Sequence, residues 1–255
     1  MTDRTQLSPD AASTAGPAPL LKIENLAAGY AGTEILHGID MCLDAAKSLC
    51  LVGPNGAGKS TVLNAIFGFA DIGRGRITVN GREIDRRDAR TRLRDQRIAY
   101  VLQDSSVFPD MSVEQNLRLG GHLMPTASAA NSAAERIFER YPRLAARRRD
   151  PASVLSGGER RLLEIARALM MEPTLLLIDE PSIGLEPRYV DLVFDMLGQL
   201  QAHNGTAILL VEQNVRKGLA FADHACVLVA GTIALSGAAG DIARDPSIGR
   251  LFLGQ

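Results

Sequence analysis

Short apolar runs alternate with turn residues along the first part of the chain. The runs Leu20 to Ile23, Ile35 to Leu43 and Leu49 to Val52 have the lengths of strands. A further run, Arg76 to Val79, precedes Asn80-Gly81, which is a strong hairpin signal because these residue types accept the positive φ angles of a tight turn. This pattern predicts an N-terminal antiparallel β subdomain.

After Gln103 the spacing of apolar residues changes from that of strands to that of helices. The segments around Val113 to Leu123 and Ala133 to Tyr141 both have this spacing. We therefore predict a helical insert over about residues 104–168.

Two continuous apolar runs follow the insert, Leu175 to Ile178 and Ala207 to Val211. Runs without polar alternation are typical of parallel strands that are covered on both faces. A helical segment, Tyr189 to Leu200, separates them, so the core is predicted to be an α/β fold with a mostly parallel sheet.

The composition adds limits to this picture. The 255 residues include 46% hydrophobic residues, enough for a substantial core, and the formal charge of -1 gives no global positive field for nucleic acid. The segment Met1 to Pro19 lacks apolar periodicity and is predicted to be a disordered tail before a domain of residues 20–255.

The cysteines, Cys42, Cys50 and Cys226, have no metal-like spacing, and we expect buried thiols. No run is long enough to span a membrane, and no secretion signal is expected.

A complete phosphate-loop motif, G-x-x-x-x-G-K-[ST], follows the run Leu49 to Val52. Its residues are, in order, Gly53, Pro54, Asn55, Gly56, Ala57, Gly58, Lys59 and Ser60. Glycines let successive N–H groups surround phosphates, and the N-terminus of the following helix adds partial positive charge. We predict that Lys59 binds the β- and γ-phosphates, that Ser60 ligates Mg²⁺, and that Thr61 adjoins the nucleotide. A plain connecting turn is the alternative, and the match in its strand-to-helix context argues against it.

Two carboxylates end the apolar run that begins at Leu175. Open α/β sheets place ligands at the carboxyl ends of their strands. Asp179 therefore suits a Mg²⁺ contact, and Glu180 suits the polarisation of the water that attacks the γ-phosphate. A solvated strand end is the alternative, which the phosphate loop upstream disfavours.

A third motif, Leu155-Ser156-Gly157-Gly158-Glu159, precedes a predicted helix. Ser156 and Glu159 have the spacing of a capping box, so an ordinary helix start is one interpretation. The two glycines favour another, because glycine weakens a helix and suits the close approach of a ligand. On that interpretation Ser156, Gly157, Gly158 and Glu159 bind a phosphate.

Together, the phosphate loop, the LSGGE segment and the LLLIDEP strand resemble the ATP-binding cassette (ABC) family from Leu20 to Gln255. The resemblance implies a P-loop NTPase fold, ATP and Mg²⁺ as ligands, and hydrolysis of ATP. It also implies a head-to-tail pair of ATPase subunits, identical or related, in which LSGGE closes over the ATP of the other copy. Membrane-embedded permease subunits, and indirectly a solute-binding protein, are the implied partners at the cytoplasmic face of the cell membrane.

Four other positions follow from the same resemblance. Tyr30 corresponds to the aromatic residue that stacks on adenine, although packing beside a turn is the alternative. Gln103 corresponds to the glutamine that senses Mg²⁺ and links to the membrane partner. Gln213 stands where the family commonly has histidine; an amide can donate to the γ-phosphate but cannot titrate, which shifts the catalytic assignment towards Glu180. Glu186 replaces the usual aspartate.

Local spellings resemble the ATPases of branched-chain amino acid importers and their urea and amide relatives. They are Tyr141-Pro142-Arg143-Leu144 through Arg149, Pro181 to Leu185, Val211 to Asn214, and the ending Leu251 to Gly254. Glu159-Arg160-Arg161, followed by Glu164 to Ala168, also resembles lipopolysaccharide-export ATPases. Gln103 departs from a glutamate common in the importer branch. Lipid export is therefore the runner-up, and a soluble ABC protein of translation or DNA repair is a weaker alternative.

Arginine clusters, Arg86 to Arg97 and Arg147 to Arg149, raise the question of nucleic acid. Acidic residues are interspersed with them, so we interpret them as solvated helix faces and predict no nucleic-acid partner.

Overall fold

A computed structural model describes residues 18–84, 88–103 and 106–253. The predicted disordered tail lies outside the described residues except for residues 18 and 19, as do Arg86, Arg87 and Gly254 from the segments discussed above. Within the described ranges, no helix combines the length and the apolar character needed to cross a membrane.

Strands and helices alternate along most of the chain. The strands are β1 (Leu21–Tyr30), β2 (Thr33–Leu43), β3 (Ser48–Val52), β4 (Asp71–Val79), β5 (Arg82–Glu83), β6 (Ile98–Val101), β7 (Leu175–Asp179), β8 (Ala207–Val211), β9 (His224–Val229) and β10 (Thr232–Ala238). The helices are α1 (Lys59–Phe67), α2 (Ala89–Asp95), α3 (Val113–Gly120), α4 (Ala127–Arg140), α5 (Pro142–Ala146), α6 (Gly157–Leu169), α7 (Pro187–Asn204), α8 (Val215–Phe221), α9 (Ala239–Arg244) and α10 (Ser247–Leu253).

Four strands form an antiparallel sheet in the order β2-β1-β4-β5. The turn between β4 and β5 has φ angles of 51° at Asn80 and 70° at Gly81, and Val79 pairs with Arg82 across it. This is the geometry of a two-residue type I′ hairpin, which matches the right-handed twist of the strands. The predicted hairpin and the predicted antiparallel sheet are both confirmed.

Six strands form the second sheet, in the order β10-β9-β3-β8-β7-β6. All neighbouring pairs are parallel except β10 with β9. Along β3, Leu49 and Leu51 pack into the core shared with the antiparallel sheet, whereas Cys50 and Val52 pack against the helices. Both faces of the strand are covered, which explains its continuous apolar sequence and confirms the α/β fold with a mostly parallel sheet.

Helices α3 to α6 lie between β6 and β7 in the chain, in the region predicted to be a helical insert. Ser112 begins α3 with a complete capping box to Gln115, and Pro142 at the first position of α5 ends α4. Helix α3 approaches α6 closely, because a Cβ on Gly120 would lie 2.3 Å from the carbonyl oxygen of Arg167. The boundaries of the insert as a separate subdomain stay a prediction.

One arginine corrects the interpretation of the first basic cluster as a solvated face. Arg92 in α2 is only 2% exposed, and its Nη1 donates to the carbonyl oxygens of Ala65 and Ile66 at 2.6 and 2.5 Å. A guanidinium is well suited to this role because its fixed N–H groups neutralise the carbonyls at the end of a helix. Arg148, in the second cluster, pairs instead with Glu114 and Glu135.

The cysteines are free, and two of them are buried as predicted. Burial raises the pKa of the Cys50 thiol, so it stays neutral. Cys42 is exposed, which corrects the expectation of three buried thiols: it lies on β2, where alternate side chains face solvent.

Candidate functional site

The phosphate loop connects β3 to α1 and turns its amides towards a cavity. Gly56 and Gly58 have φ angles of 76° and 100°, which glycine adopts without steric cost. The N–H of Val62 makes the first bond back to the loop, to the carbonyl oxygen of Gly58 at 3.1 Å. The preceding amides of the helical turn are therefore available to an anion.

Strand β9 and its turn support this loop from behind. A Cβ on Gly53 would lie 2.1 Å from the carbonyl oxygen of Leu228, so no larger residue fits there. The N–H of Gly231, in the β9–β10 turn, donates to the carbonyl oxygen of Ala57 at 3.0 Å. The β9–β10 hairpin, which the sequence analysis did not predict, therefore fixes the loop at both ends.

Lys59 lies inside the loop and is only 6% exposed. Its Nζ donates to the carbonyl oxygens of Gly53 and Pro54, at 3.0 and 3.1 Å. The ammonium group is thus held over the loop by neutral acceptors, which leaves its positive charge available to phosphate oxygens.

Asp179 ends β7 beneath the loop and has features that fit a cation. Its Oδ1 is buried without a hydrogen-bond partner, while Ser60 and Tyr100 bond to the carboxylate. Burial raises the pKa of Asp179, and the hydrogen bonds and the charge of Lys59 oppose this. Among the described residues no three His, Cys, Asp or Glu side chains form a metal cluster. Mg²⁺ suits such a site, because it binds through one or two protein oxygens together with substrate phosphates and water.

Glu180 is the first residue after β7, and it is nearly buried at 8% exposure. Its N–H donates to the carbonyl oxygen of Val211 at 2.9 Å, and its backbone has a φ angle of 43°. The side chain of Gln103 donates to Oε2 of Glu180 at 3.1 Å. Burial, followed by the negative charge of Asp179, raises the pKa of Glu180. A carboxylate with a raised pKa is a stronger base, as general-base catalysis requires.

Gln213 lies across the cavity, where its Nε2 donates to Oδ1 of Asn55 at 3.3 Å. The preceding residue, Glu212, is 1% exposed and accepts from the N–H groups of Ser182 at 3.2 Å and Asn214 at 2.7 Å. Glu212 thus fixes the loop after β7 to the loop after β8. The sequence analysis did not single it out, although an acidic residue that ends an apolar strand was the same signal that marked Asp179.

An open cavity of about 460 Å³ brings half of the predicted site residues together. Its lining comprises Ile35, Asn55, Gly56, Gly58, Lys59, Ser60, Thr61, Gln103, Glu180, Ile183 and Gln213. Gly53, Pro54, Ala57 and Asp179 lie behind or beneath this lining. Ile35 and Ile183 were not predicted, since apolar residues give no chemical signal in a sequence.

Tyr30 does not line this cavity. Its ring is 37% exposed at the end of β1, and its hydroxyl accepts a hydrogen bond from Nδ2 of Asn64 in α1 at 2.6 Å. A partly exposed aromatic ring near the helix of the phosphate loop is a candidate for stacking on a base. Stacking on adenine stays a prediction.

The LSGGE segment also lies outside the cavity. Ser156 caps α6, and both hydrogen bonds of the capping box with Glu159 are present. A Cβ on Gly158 would lie 2.1 Å from the ring of Tyr189. Packing within the chain is therefore a second reason for glycine at this position, and the binding of a phosphate by this segment stays a prediction. Gly157 has no such contact, since the nearest atom is Cδ2 of Leu185 at 4.0 Å.

The loop between β7 and α7 separates the two regions. Ile183 in this loop and Gln103 border both the phosphate cavity and a second cavity lined by Gly157 and Arg160. Glu186, which replaces the usual aspartate, precedes α7 without capping it and pairs with Arg188 at 3.0 Å.

Comparison with known proteins settles the family. The family described as "ABC transporter" matches residues 36–183, which is more than half of the chain. The chain belongs to the ABC transporter family. This ABC protein is 34% identical to the probable branched-chain amino acid transport ATP-binding protein LivF of Archaeoglobus fulgidus, over 92% of the chain and 99% of the relative. It is equally identical to the high-affinity branched-chain amino acid transport ATP-binding protein BraG of Pseudomonas aeruginosa, over 92% of the chain and 100% of the relative.

Other similarities of the ABC protein lie in export and in solved structures. The lipopolysaccharide export system ATP-binding protein LptB of Escherichia coli is 30% identical over 92% of this chain and 97% of its own length. A nucleotide-free ATP-binding cassette from an ABC transporter superimposes with a TM-score of 0.84, 26% identity, and coverage of 93% of this chain and 100% of the other. A cassette in its ADP conformation gives 0.82, with the same identity and coverage. The ABC protein is an ATP-binding subunit and an ATPase.

Proposed function

We propose that this ABC ATPase drives the import of branched-chain amino acids, or of related small polar solutes, through separate permease subunits at the cytoplasmic face of the cell membrane. A solute-binding protein would deliver the solute to these subunits. The observation that carries the proposal is identity along nearly the whole length of LivF and BraG, at 34% in both cases, against 30% for LptB.

For the nucleotide, we assign roles from the positions of the side chains. Lys59 and the amides of the phosphate loop hold the β- and γ-phosphates, and Ser60 and Asp179 hold Mg²⁺, with Gln103 near it. When bound, Mg²⁺ neutralises charge on the transferred phosphoryl group. Glu180 takes the proton of the attacking water, and Gln213 donates to the γ-phosphate. Tyr30 stacks on adenine.

A second ATPase subunit would complete the site, because the LSGGE segment of one chain does not reach its own phosphate cavity. Ser156, Gly157, Gly158 and Glu159 form the N-terminal end of α6, and the N-terminus of a helix suits a phosphate. We propose that they bind the ATP held by the other subunit, so that two nucleotides lie between the subunits. ATP binding would close the pair, and hydrolysis would open it.

The permease would dock beside Gln103, where aromatic and apolar side chains are exposed. Phe69 is 51% exposed and packs edge-on against Phe67, with ring centroids 5.0 Å apart. Leu119, in α3, is 38% exposed and lines a cavity of about 170 Å³ together with Phe67 and Tyr100. Exposed apolar surface of this kind is typical of protein interfaces.

Uptake in reconstituted vesicles tests the proposal. The chain is purified with the membrane subunits that accompany it and is placed in proteoliposomes, with ATP at the ATPase side and a solute-binding protein outside. We expect ATP-dependent accumulation of labelled leucine or valine. Glu180→Gln is the control: it should bind ATP but abolish accumulation. ATP hydrolysis without accumulation of any amino acid, urea or amide would refute the import proposal while leaving the ATPase intact.

Export of a lipid is the second candidate. It is favoured by the buried pair of Arg161 and Glu164, which lies in the segment that resembles lipopolysaccharide-export ATPases. In the same vesicles, extraction of a labelled lipopolysaccharide instead of uptake of an amino acid would select this candidate.

A further inference from the structure

One buried arginine of α6 is hydrogen-bonded to the chain at the ends of two strands, β6 and β7, that lead into the catalytic site. Nη1 of Arg161 donates to the carbonyl oxygen of Leu102 at 2.7 Å, and Nη2 donates to the carbonyl oxygen of Asp179 at 2.8 Å. The two acceptors belong to the residues that directly precede Gln103 and Glu180. The side chains of Gln103 and Glu180 are themselves joined at 3.1 Å.

Glu164 completes this arrangement from the next turn of the helix. Its Oε2 accepts from Nη1 of Arg161 at 2.9 Å, and its Oε1 accepts from the N–H of Ser106 at 2.8 Å. The side chains of Arg161 and Glu164 are only 7% and 4% exposed, so their geometry is held by packing and is little screened by water. The segment that carries Gln103 is therefore attached to α6 on both sides of that residue.

The charge of this pair does not explain its position by itself. A buried ion pair is often no more stabilising than apolar residues of the same size, because desolvation offsets the attraction. Geometry explains it better, because the planar guanidinium group fixes two carbonyl acceptors at a set separation. The same helix begins with the LSGGE segment.

From this geometry we propose that Arg161 is a positioning residue for ATP hydrolysis, which fixes Gln103 and Glu180 relative to each other and to the start of α6. The proposal rests on the roles given above to Gln103 and Glu180. Binding of the other subunit's nucleotide at Ser156 would then be transmitted through α6 to the chain's own attacking water. Arg161 itself does not line the phosphate cavity.

Arg161→Lys tests this, because lysine keeps the positive charge but replaces the fork by a single ammonium group that cannot hold both carbonyls. We expect kcat to fall about tenfold, since small displacements of catalytic groups are costly, while the KM for ATP changes less than about twofold. Arg92→Lys is the matched control: Arg92 is also buried and also binds two carbonyls, but these belong to α1. Its kcat should stay within about twofold of the original value.

A double-mutant cycle separates positioning from general destabilisation. In a Gln103→Ala background, Arg161→Lys should lower kcat by much less than about tenfold, because one of the two side chains that Arg161 positions is already absent. Equal losses of kcat in Arg161→Lys and Arg92→Lys, or a full additional loss in the Gln103→Ala background, would overturn the proposal. If Arg161→Lys does not fold, Glu164→Gln replaces it, and we expect kcat to fall roughly threefold or more for the same reason. An unchanged kcat in Glu164→Gln would overturn the proposal.

The unsubstituted protein and Glu180→Gln are measured alongside. Hydrolysis that persists in Glu180→Gln would count against the assigned base, which is a failure of the proposed site. Loss of hydrolysis in Glu180→Gln with no effect of Arg161→Lys would be a failure of this inference alone.

Discussion

Replacing Gly158 with alanine separates packing from ligand binding at the LSGGE segment. The new methyl group would lie 2.1 Å from Cγ and Cδ1 of Tyr189 and 2.7 Å from its Cβ. These atoms are at the base of the side chain, so rotation of the ring cannot remove the clash, and the backbone of α7 or α6 has to move. The movement also affects Ser156, whose Oγ donates to the hydroxyl of Tyr189 at 3.1 Å.

The expected magnitude follows from two opposing contributions. An extra methyl group in a well-packed position costs about 1–3 kcal/mol, whereas alanine in place of glycine in a helix gains up to about 1 kcal/mol. We expect a net loss of about 1–2 kcal/mol in the free energy of unfolding, which for a chain of this size lowers Tm by roughly 2–8 °C. Gly157→Ala should leave Tm unchanged or raise it slightly, because its nearest atom is 4.0 Å away.

Differential scanning calorimetry of the nucleotide-free protein checks these values. The decisive variant is Gly158→Ala in a Tyr189→Gly background, where Cβ, Cγ and Cδ1 of residue 189 are all absent and no further destabilisation is expected. If Gly158→Ala were as stable as Gly157→Ala in the unsubstituted background, packing would not explain the glycine. A ligand at Gly158 would then be the remaining explanation.

Three further predictions concern protons and hydrogen bonds. Burial raises the pKa of Glu180, and only its carboxylate form can act as base. In a pH–rate profile, the acid limb of kcat/KM should therefore lie at a pH above about 4.3, the usual pKa of a glutamate. An acid limb at or below that pH would contradict the prediction. Gln213→His should hydrolyse ATP within about threefold of the original rate, since an imidazole can still donate to Asn55 and to a phosphate; an inactive variant would show that the amide geometry is essential. Burial opposes ionisation of Asp223, but hydrogen bonds from Ser48, Lys47 and Gln201 lower its pKa from 3.8 to about 2. The ionised carboxylate therefore stabilises the fold fully above pH 3.8, and this stabilisation is lost as the pH falls towards 2. In urea titrations at pH 7, Asp223→Asn should therefore lower the free energy of unfolding by about 2 kcal/mol. This difference in stability between the two proteins should disappear near pH 2, and a difference independent of pH would exclude ionisation as the cause.

The sequence predicted those parts of the fold that depend on local pattern. Continuous apolar runs located β3, β7 and β8, and Asn80-Gly81 located a hairpin, because these signals arise within a few residues. The phosphate loop and the acidic end of β7 were found in the same way. Strands β9 and β10 were missed, although Ala230-Gly231 between apolar residues was a comparable turn signal.

Contacts between distant residues could not be predicted. The burial of Arg92 depends on carbonyls of α1 that lie 26 and 27 residues away. The fit of Gly158 against Tyr189 depends on how α6 meets α7, and the same glycine in a sequence is equally consistent with a ligand. Arg161 was noted only for a family resemblance and not for any chemistry, since its role comes from the two carbonyls that the fold brings within reach.

The backbone at Glu180 has a consequence for engineering this protein. A φ angle of 43° is unfavourable by about 1 kcal/mol for a residue with a β-carbon, and the buried carboxylate adds to that penalty. Glycine or asparagine tolerates this conformation readily. A screen that ranks substitutions at residue 180 by thermal stability alone should therefore select inactive proteins, because heat resistance and turnover are expected to oppose each other at this position.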